Sequence, residues 1–173
     1  MSSLNLTSLE YITRESLASS IKDSPSEALP DDTAIIDVRD SDHIGGHIKG
    51  STWVPSSQLD YRTPDLIRTL KDKKVVVFHC ALSQQRGPSA ALRYLREKER
   101  LDGGVKQGKV EATTGGKAGV EAGETKEEGR GEGNNEEQKV YVLKGGFTEW
   151  QEKYGEDQKL TEGYQKDIWE FGN

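Results

Sequence analysis

Lys74-Val75-Val76-Val77-Phe78-His79-Cys80-Ala81-Leu82-Ser83-Gln84-Gln85-Arg86-Gly87-Pro88 governs how the rest of the chain is read. Lys74–Phe78 is a short apolar, β-branched run bounded by charges, which predicts a buried strand. Pro88–Arg96 reads as a helix, with Pro near its first turn and Ala91, Leu92 and Leu95 on one face. Between them lies Cys80, the one cysteine in 173 residues, and five residues separate it from Arg86. A thiol at a strand's end, a short loop and a helix N-terminus make an anion-binding arrangement with a nucleophile inside it.

The chemistry follows from that order. Backbone N–H groups of Ala81, Leu82, Ser83, Gln84, Gln85, Arg86 and Gly87 form the expected cradle, and the helix dipole adds partial positive charge. The planar guanidinium of Arg86 suits two oxygens of a tetrahedral oxyanion. The same field favours thiolate, since such an environment lowers a cysteine from ~8.5 to between about 3.5 and 7.5. Cys80 would then attack a phosphorus or arsenic centre held by the loop, giving a covalent intermediate. A lone cysteine is otherwise a small buried hydrophobe; the arginine six positions on decides for the functional reading.

Outside this stretch, Ala34-Ile35-Ile36-Asp37-Val38-Arg39-Asp40 with His43-Ile44-Gly45-Gly46-His47-Ile48-Lys49-Gly50-Ser51 resembles the first signature of rhodanese-type domains. Val140-Tyr141-Val142-Leu143-Lys144-Gly145-Gly146-Phe147-Thr148-Glu149-Trp150 resembles their final strand and helix. The middle stretch resembles the active-site loop of the cell-division-cycle dual-specificity phosphatases and the related plant and fungal arsenate reductases: His-Cys, five residues, then Arg-Gly-Pro. The three blocks fall in family order. The resemblance implies an α/β rhodanese-like fold, a central mainly parallel sheet flanked by helices on both sides.

It also implies a reaction. Sulfurtransferases of this fold carry a shorter loop, sized for one sulfur atom, whereas the longer loop here accepts a phosphate-sized tetrahedron. The expected activity is a cysteine-dependent phosphatase of phosphotyrosine type, acting on a phosphoprotein or aryl phosphate, with Cys80 as nucleophile and Arg86 clamping the oxyanion. The alternatives are an arsenate reductase, a phosphoprotein-binding module with weak catalysis, and a thiosulfate sulfurtransferase. With no second cysteine, arsenate reduction would need an external thiol such as glutathione or glutaredoxin. One departure matters: human-type members have an acidic residue just before the arginine, and here that residue is Gln85. A loop carboxylate cannot be the general acid, which favours aryl leaving groups that need little protonation.

The other signature residues have scaffold readings. Asp37, at the end of the Ala34–Val38 strand, accepts hydrogen bonds that fix the neighbouring loop, and Arg39 pairs with a scaffold carboxylate. His47 is a hydrogen-bonded residue of a Gly-rich turn. His79 either orients Cys80 or packs the strand. No Cys/His cluster has metal spacing, so no metal is expected, and no resident cofactor either.

Composition sets the remaining bounds. Only 32% of residues are hydrophobic and the mean hydropathy is −0.81. Much of that deficit sits in 102–138, which holds ten of the 19 glycines, no Leu, Ile, Phe, Trp or Tyr, and four of the six net negative charges. Such a segment buries too little apolar surface to offset its ordering entropy. It reads as a disordered Gly/Glu-rich insertion in a single domain spanning 1–173, and a tolerated surface loop is the simplest account of it. Thr13 should cap a helix with Leu17 and Ile21 inward. Tyr164, Ile168, Trp169 and Phe171 suggest an apolar stripe on a terminal helix. No apolar run approaches the ~20 residues of a membrane span, and the absence of a basic stripe gives no support for nucleic-acid binding. A lone cysteine working as thiolate fits a reducing compartment, cytoplasm or nucleus.

Overall fold

Strands β1 (Glu10–Ile12), β2 (Thr33–Asp37), β4 (Thr52–Trp53), β5 (Val75–His79) and β6 (Lys139–Leu143) form one sheet in the computed structural model, which describes residues 4–115 and 137–171. Their order is β1-β6-β5-β2-β4 and every pairing is parallel. A parallel sheet needs crossovers that cover both faces, so its central strands are apolar throughout. β2 is buried at all five positions. The period of two still shows: Ala34, Ile36, Val76 and Phe78 face one core, Ile35 and Val77 the other.

Helices α2 (Leu59–Thr69) and α3 (Arg86–Gly115) cover the first face with Leu59, Leu66, Ala90, Ala91 and Tyr94. Helices α1 (Arg14–Lys22) and α4 (Gly146–Tyr154) cover the second with Leu17, Ala18, Ile21, Phe147 and Trp150. The layered α/β architecture is the one the resemblance implied. Thr13 caps α1 as expected, its side chain accepting from Ser16 N at 3.0 Å.

Two features of the periphery differ from expectation. Asp102, where the sequence reading begins the insertion, lies within α3, which carries i,i+3 and i,i+4 ion pairs Glu97–Arg100 and Lys98–Asp102 there. Residues 116–136 of that insertion lie outside the described residues. The chain is tied down again at Gln138, whose Nε2 donates to Leu70 O at 2.7 Å and Lys73 O at 2.9 Å while its Oε1 accepts from Tyr94 Oη at 2.7 Å. The terminal stripe is only partly apolar contact. In α5 (Lys166–Phe171) Trp169 packs on Phe147, but Phe171 is 81% exposed, because six residues offer one inward face of a single turn.

A second, two-stranded antiparallel ribbon pairs β3 (His47–Ile48) with β7 (Thr161–Glu162). It pins the turn after β2, and Trp169 Nε1 adds a hydrogen bond to Gly45 O at 3.0 Å. The carboxyl ends of β2 and β5 are in register, Asp37 opposite His79. Loops at the carboxyl ends of parallel strands are where open α/β sheets bind ligands.

Candidate active site

Cys80 follows directly on β5, and its neighbours are set by backbone rather than by side chains. It is 3% exposed, and Sγ accepts N–H groups from Ser83 at 3.2 Å and Gly87 at 3.3 Å. The loop closes through Ser83, whose φ of 58° lies in the left-handed region that non-glycine residues seldom enter. Among the described residues the amides of Leu82, Gln84, Gln85 and Arg86 have no acceptor, which leaves them as donors. The side chains of Leu82, Gln84 and Gln85 are exposed and form the rim.

The loop carbonyls are held from behind. Phe147 N donates to Cys80 O at 3.0 Å and Thr148 N to Ala81 O at 2.9 Å, so the first turn of α4 spends its orphan donors on the Cys80 loop. This close approach needs Gly146, whose φ is +60° and whose missing Cβ would stand 2.4 Å from Ala81 O and 2.6 Å from Cys80 O. The Gly145-Gly146 pair was legible as a family signature; its role in holding the Cys80 loop was not.

Beneath lies a buried ionic cluster. Asp37 and Arg39 are both fully buried, with Arg39 Nη2 2.8 Å from Asp37 Oδ2 and Arg39 Nε 3.1 Å from Oδ1. Arg39 also donates to Ile44 O at 3.3 Å and Gly46 O at 2.9 Å, and it sits 4.5 Å over the Phe147 ring. One guanidinium thus joins β2, the Gly-rich turn and α4. Burial alone would raise the Asp37 carboxyl, but the Arg39 guanidinium hydrogen-bonded to it holds it below the ordinary range. His79 is itself completely buried. Its Nδ1 lies 3.0 Å from Cys80 O, so Nδ1 carries the proton, and Nε2 faces Asp37 Oδ2 at 3.8 Å. Burial, opposed by Asp37, pushes the imidazole below its usual value and keeps it neutral. His79 therefore braces the Cys80 peptide, on the same carbonyl that Phe147 N holds. His47 meets Glu162 Oε1 at 3.0 Å, a hydrogen-bonded turn residue.

Arg86 is engaged by two carboxylates that the sequence did not assign. Its Nη1 is 2.8 Å from Asp42 Oδ1 and its Nη2 2.6 Å from Asp42 Oδ2, with Asp40 Oδ2 at 3.4 Å from Nη1. Asp42 thus grips the end of the fork, while Nε has no partner among the described residues. Asp40 is fixed in turn by Ser56 Oγ and by Ser57 N at 3.0 Å. The Arg86 guanidinium holds the Asp42 carboxyl down at about 2, and Arg86 itself is pushed further up. Burial pushes Asp40 up, but Ser56, Ser57 and Arg86 together outweigh it, so it too sits low. Both stay ionised at neutral pH, which suits them to aiming Arg86 and not to donating a proton.

Comparison with known proteins agrees with this geometry. The family described as Rhodanese-like domain matches residues 18–153. A CDC25-like phosphatase of Saccharomyces cerevisiae is 32% identical over 180 residues, covering 98% of this chain and 99% of that protein. An arsenate reductase of Oryza sativa subsp. japonica is 48% identical over 63 residues, covering 36% of this chain and 48% of that protein. Among solved structures, a yeast protein tyrosine phosphatase of the rhodanese family aligns with a TM-score of 0.60 at 29% identity, covering 96% of this chain and 99% of the other.

Proposed function

The chain belongs to the family of rhodanese-like domains, and on that premise we propose that it is a cysteine-dependent protein phosphatase acting on phosphotyrosine-type esters. The observation that carries this reading is the seat of Cys80 Sγ, which takes two backbone N–H groups at the mouth of a five-residue loop closed by Arg86. Two fixed backbone dipoles are aimed at the sulfur, and the free amides beside it suit the equatorial oxygens of a transferring phosphoryl group. The open Nε edge of Arg86 supplies a further charged donor.

In the first step Sγ attacks phosphorus in line, the ester P–O bond breaks, and its electron pair leaves on the aryl oxygen. A phenolate leaves without a proton, which fits a loop with Gln85 before the arginine and with Asp40 and Asp42 committed as ions. In the second step water attacks the phosphocysteine and releases phosphate, restoring the thiolate. Phosphoserine or phosphothreonine esters, with poorer leaving groups, react more slowly.

A second reading is arsenate reduction, favoured by the similarity to the rice arsenate reductase. Arsenate matches phosphate in shape and charge. With one cysteine in the chain, glutathione or glutaredoxin would have to provide the electrons.

Three assays on the full chain separate these readings: hydrolysis of p-nitrophenyl phosphate and a phosphotyrosine peptide, arsenate reduction with glutathione and glutaredoxin, and sulfur transfer from thiosulfate. The expected result is aryl phosphate hydrolysis that vanishes in Cys80→Ser. Hydrolysis surviving that substitution would overturn the mechanism. Turnover of arsenate alone would establish the second reading, and phosphopeptide binding without turnover would make the chain a binding module.

A further inference from the structure

Ile44, Gly45 and Gly46 present three successive carbonyls in the turn after β2, and all three are held by side chains. The outer two accept from the buried Arg39 guanidinium, at 3.3 Å and 2.9 Å. The middle one accepts from the tail instead: Trp169 Nε1 donates to Gly45 O at 3.0 Å, and Gln165 N adds a second bond at 3.2 Å. The turn has room for nothing else there. Gly45 holds a φ of +80°, and a Cβ on it would stand 2.6 Å from Trp169 Nε1. At Gly46, with φ +116°, a Cβ would stand 2.9 Å from Tyr164 Cα.

Both partners of Trp169 lead to the site. The turn that carries Gly45 also carries Asp42, whose carboxylate takes the two ends of the Arg86 fork at 2.8 Å and 2.6 Å. Little slack separates the two positions. His43 N donates to Asp40 O at 3.0 Å, Ile44 N to Asp42 O at 2.9 Å, and Asp40 N to Asp42 Oδ1 at 2.8 Å. On its other side Trp169 packs against Phe147, ring centroids 5.5 Å apart, and Phe147 N holds Cys80 O at 3.0 Å. Tyr164 Oη, donating to Gln151 Oε1 at 2.6 Å, fastens the same tail to α4. One indole therefore touches both the turn that grips Arg86 and the helix that braces the Cys80 carbonyl.

We propose that Trp169 is a positioning residue: through Gly45 O it fixes the turn in which Asp42 aims Arg86 at a bound oxyanion. It rests on Arg86 being the oxyanion clamp of the phosphatase reading. Trp169 touches no substrate, and its effect reaches the anion only by way of Asp42. A cover for α4 would need the ring alone; the turn needs the N–H.

The test is a double-mutant cycle on the full chain: wild type, Trp169→Phe, Asp42→Asn and the double variant. Phenylalanine keeps an aromatic ring against Phe147 and removes the indole N–H. Titration calorimetry with inorganic phosphate gives the deciding affinity, and kcat/KM for p-nitrophenyl phosphate should follow it. Trp169→Phe should weaken phosphate binding about two- to tenfold, the range for one net hydrogen bond. In the Asp42→Asn background the same substitution should change affinity by less than about twofold, because the ion pair it serves is gone. Unchanged affinity in Trp169→Phe overturns the proposal. So does an equal loss in both backgrounds, which would make Trp169 a support of the fold alone. If wild type binds phosphate but hydrolyses no aryl ester, the phosphatase reading fails while the affinity cycle still decides the role of Trp169. If wild type binds no phosphate, both fall.

Discussion

Replacing Gly146 by alanine tests whether α4 holds the catalytic loop. A Cβ there would meet Ala81 O at 2.4 Å and Cys80 O at 2.6 Å, so the two backbones must part by at least roughly 0.6 Å to restore a 3.0 Å contact. That separation strains the two hydrogen bonds from Phe147 N and Thr148 N, now 3.0 and 2.9 Å long. Each contributes about 1 kcal/mol net. An alanine at φ +60° adds about 1–2 kcal/mol of its own. The sum is about 2–4 kcal/mol, and at about 2–4 °C per kcal/mol for a chain of this size the melting temperature should fall by roughly 5–15 °C. Activity should fall further than stability alone explains, because a displacement near 1 Å at a reacting group can cost about a hundredfold. Gly163 provides the control inside the same molecule. Its φ is +68°, but the nearest atom to its Cβ would be Gly46 Cα at 3.8 Å. Gly163→Ala therefore carries only the backbone cost, a drop of about 2–8 °C with kcat/KM intact. Scanning calorimetry and aryl phosphate kinetics on both variants read the difference. Equal melting temperatures with unchanged kcat/KM in Gly146→Ala would refute the idea that α4 shapes the loop.

Asp42→Asn removes the charge that grips the Arg86 fork; since Asp42 is 42% exposed, solvent screening reduces the pair to about 1 kcal/mol, and kcat/KM should drop about fivefold with rising salt blunting the difference. No change in kcat/KM would mean that Arg86 aims itself. Asp37→Asn leaves Arg39 buried without its counter-ion and should cost about 3–5 kcal/mol in urea unfolding, whereas a loss under 1 kcal/mol would refute the clamp role. Stability should also decline on mild acidification. His79 and His43 both titrate below 6.5 in the folded chain, so below about pH 6.5 the unfolded chain binds protons that the folded one refuses. The melting temperature should therefore be highest above that pH and fall as pH drops through the folded values. A second loss should follow between 3.8 and about 2, where Asp42 is neutralised. A flat melting curve from pH 7 to pH 5 would contradict the histidine part.

What the sequence made legible was local or periodic. The Val75–Phe78 run and the interval from Cys80 to Arg86 are each contained in a few residues, and their roles follow from strand alternation and loop length; that Arg39 pairs with a scaffold carboxylate was legible, but that the carboxylate is Asp37 was not. The grip of Asp42 on Arg86 spans 44 residues and exists only because β2 and β5 are parallel neighbours. The hold of α4 on Cys80 O likewise depends on a crossover that no local pattern encodes. Ser83 gave no signal of a left-handed turn, since a serine there lacks the mark that glycine or asparagine would leave. The tail differs at Phe171 for the opposite reason: apolar spacing suggested a packed face, but this six-residue helix packs its aromatic contact through Trp169 and leaves Phe171 exposed.

The clasp at Gln138 has a bearing on how this chain can be engineered. By fastening re-entry into β6 to the end of α2 and to Tyr94, it uncouples the number of residues between α3 and β6 from the cradle around Cys80. A single residue added between Arg39 and Gly46 has no such buffer, because both ends of that turn are bonded to the same buried guanidinium. The tolerance of each segment to a change in length is set by where side-chain hydrogen bonds close the backbone.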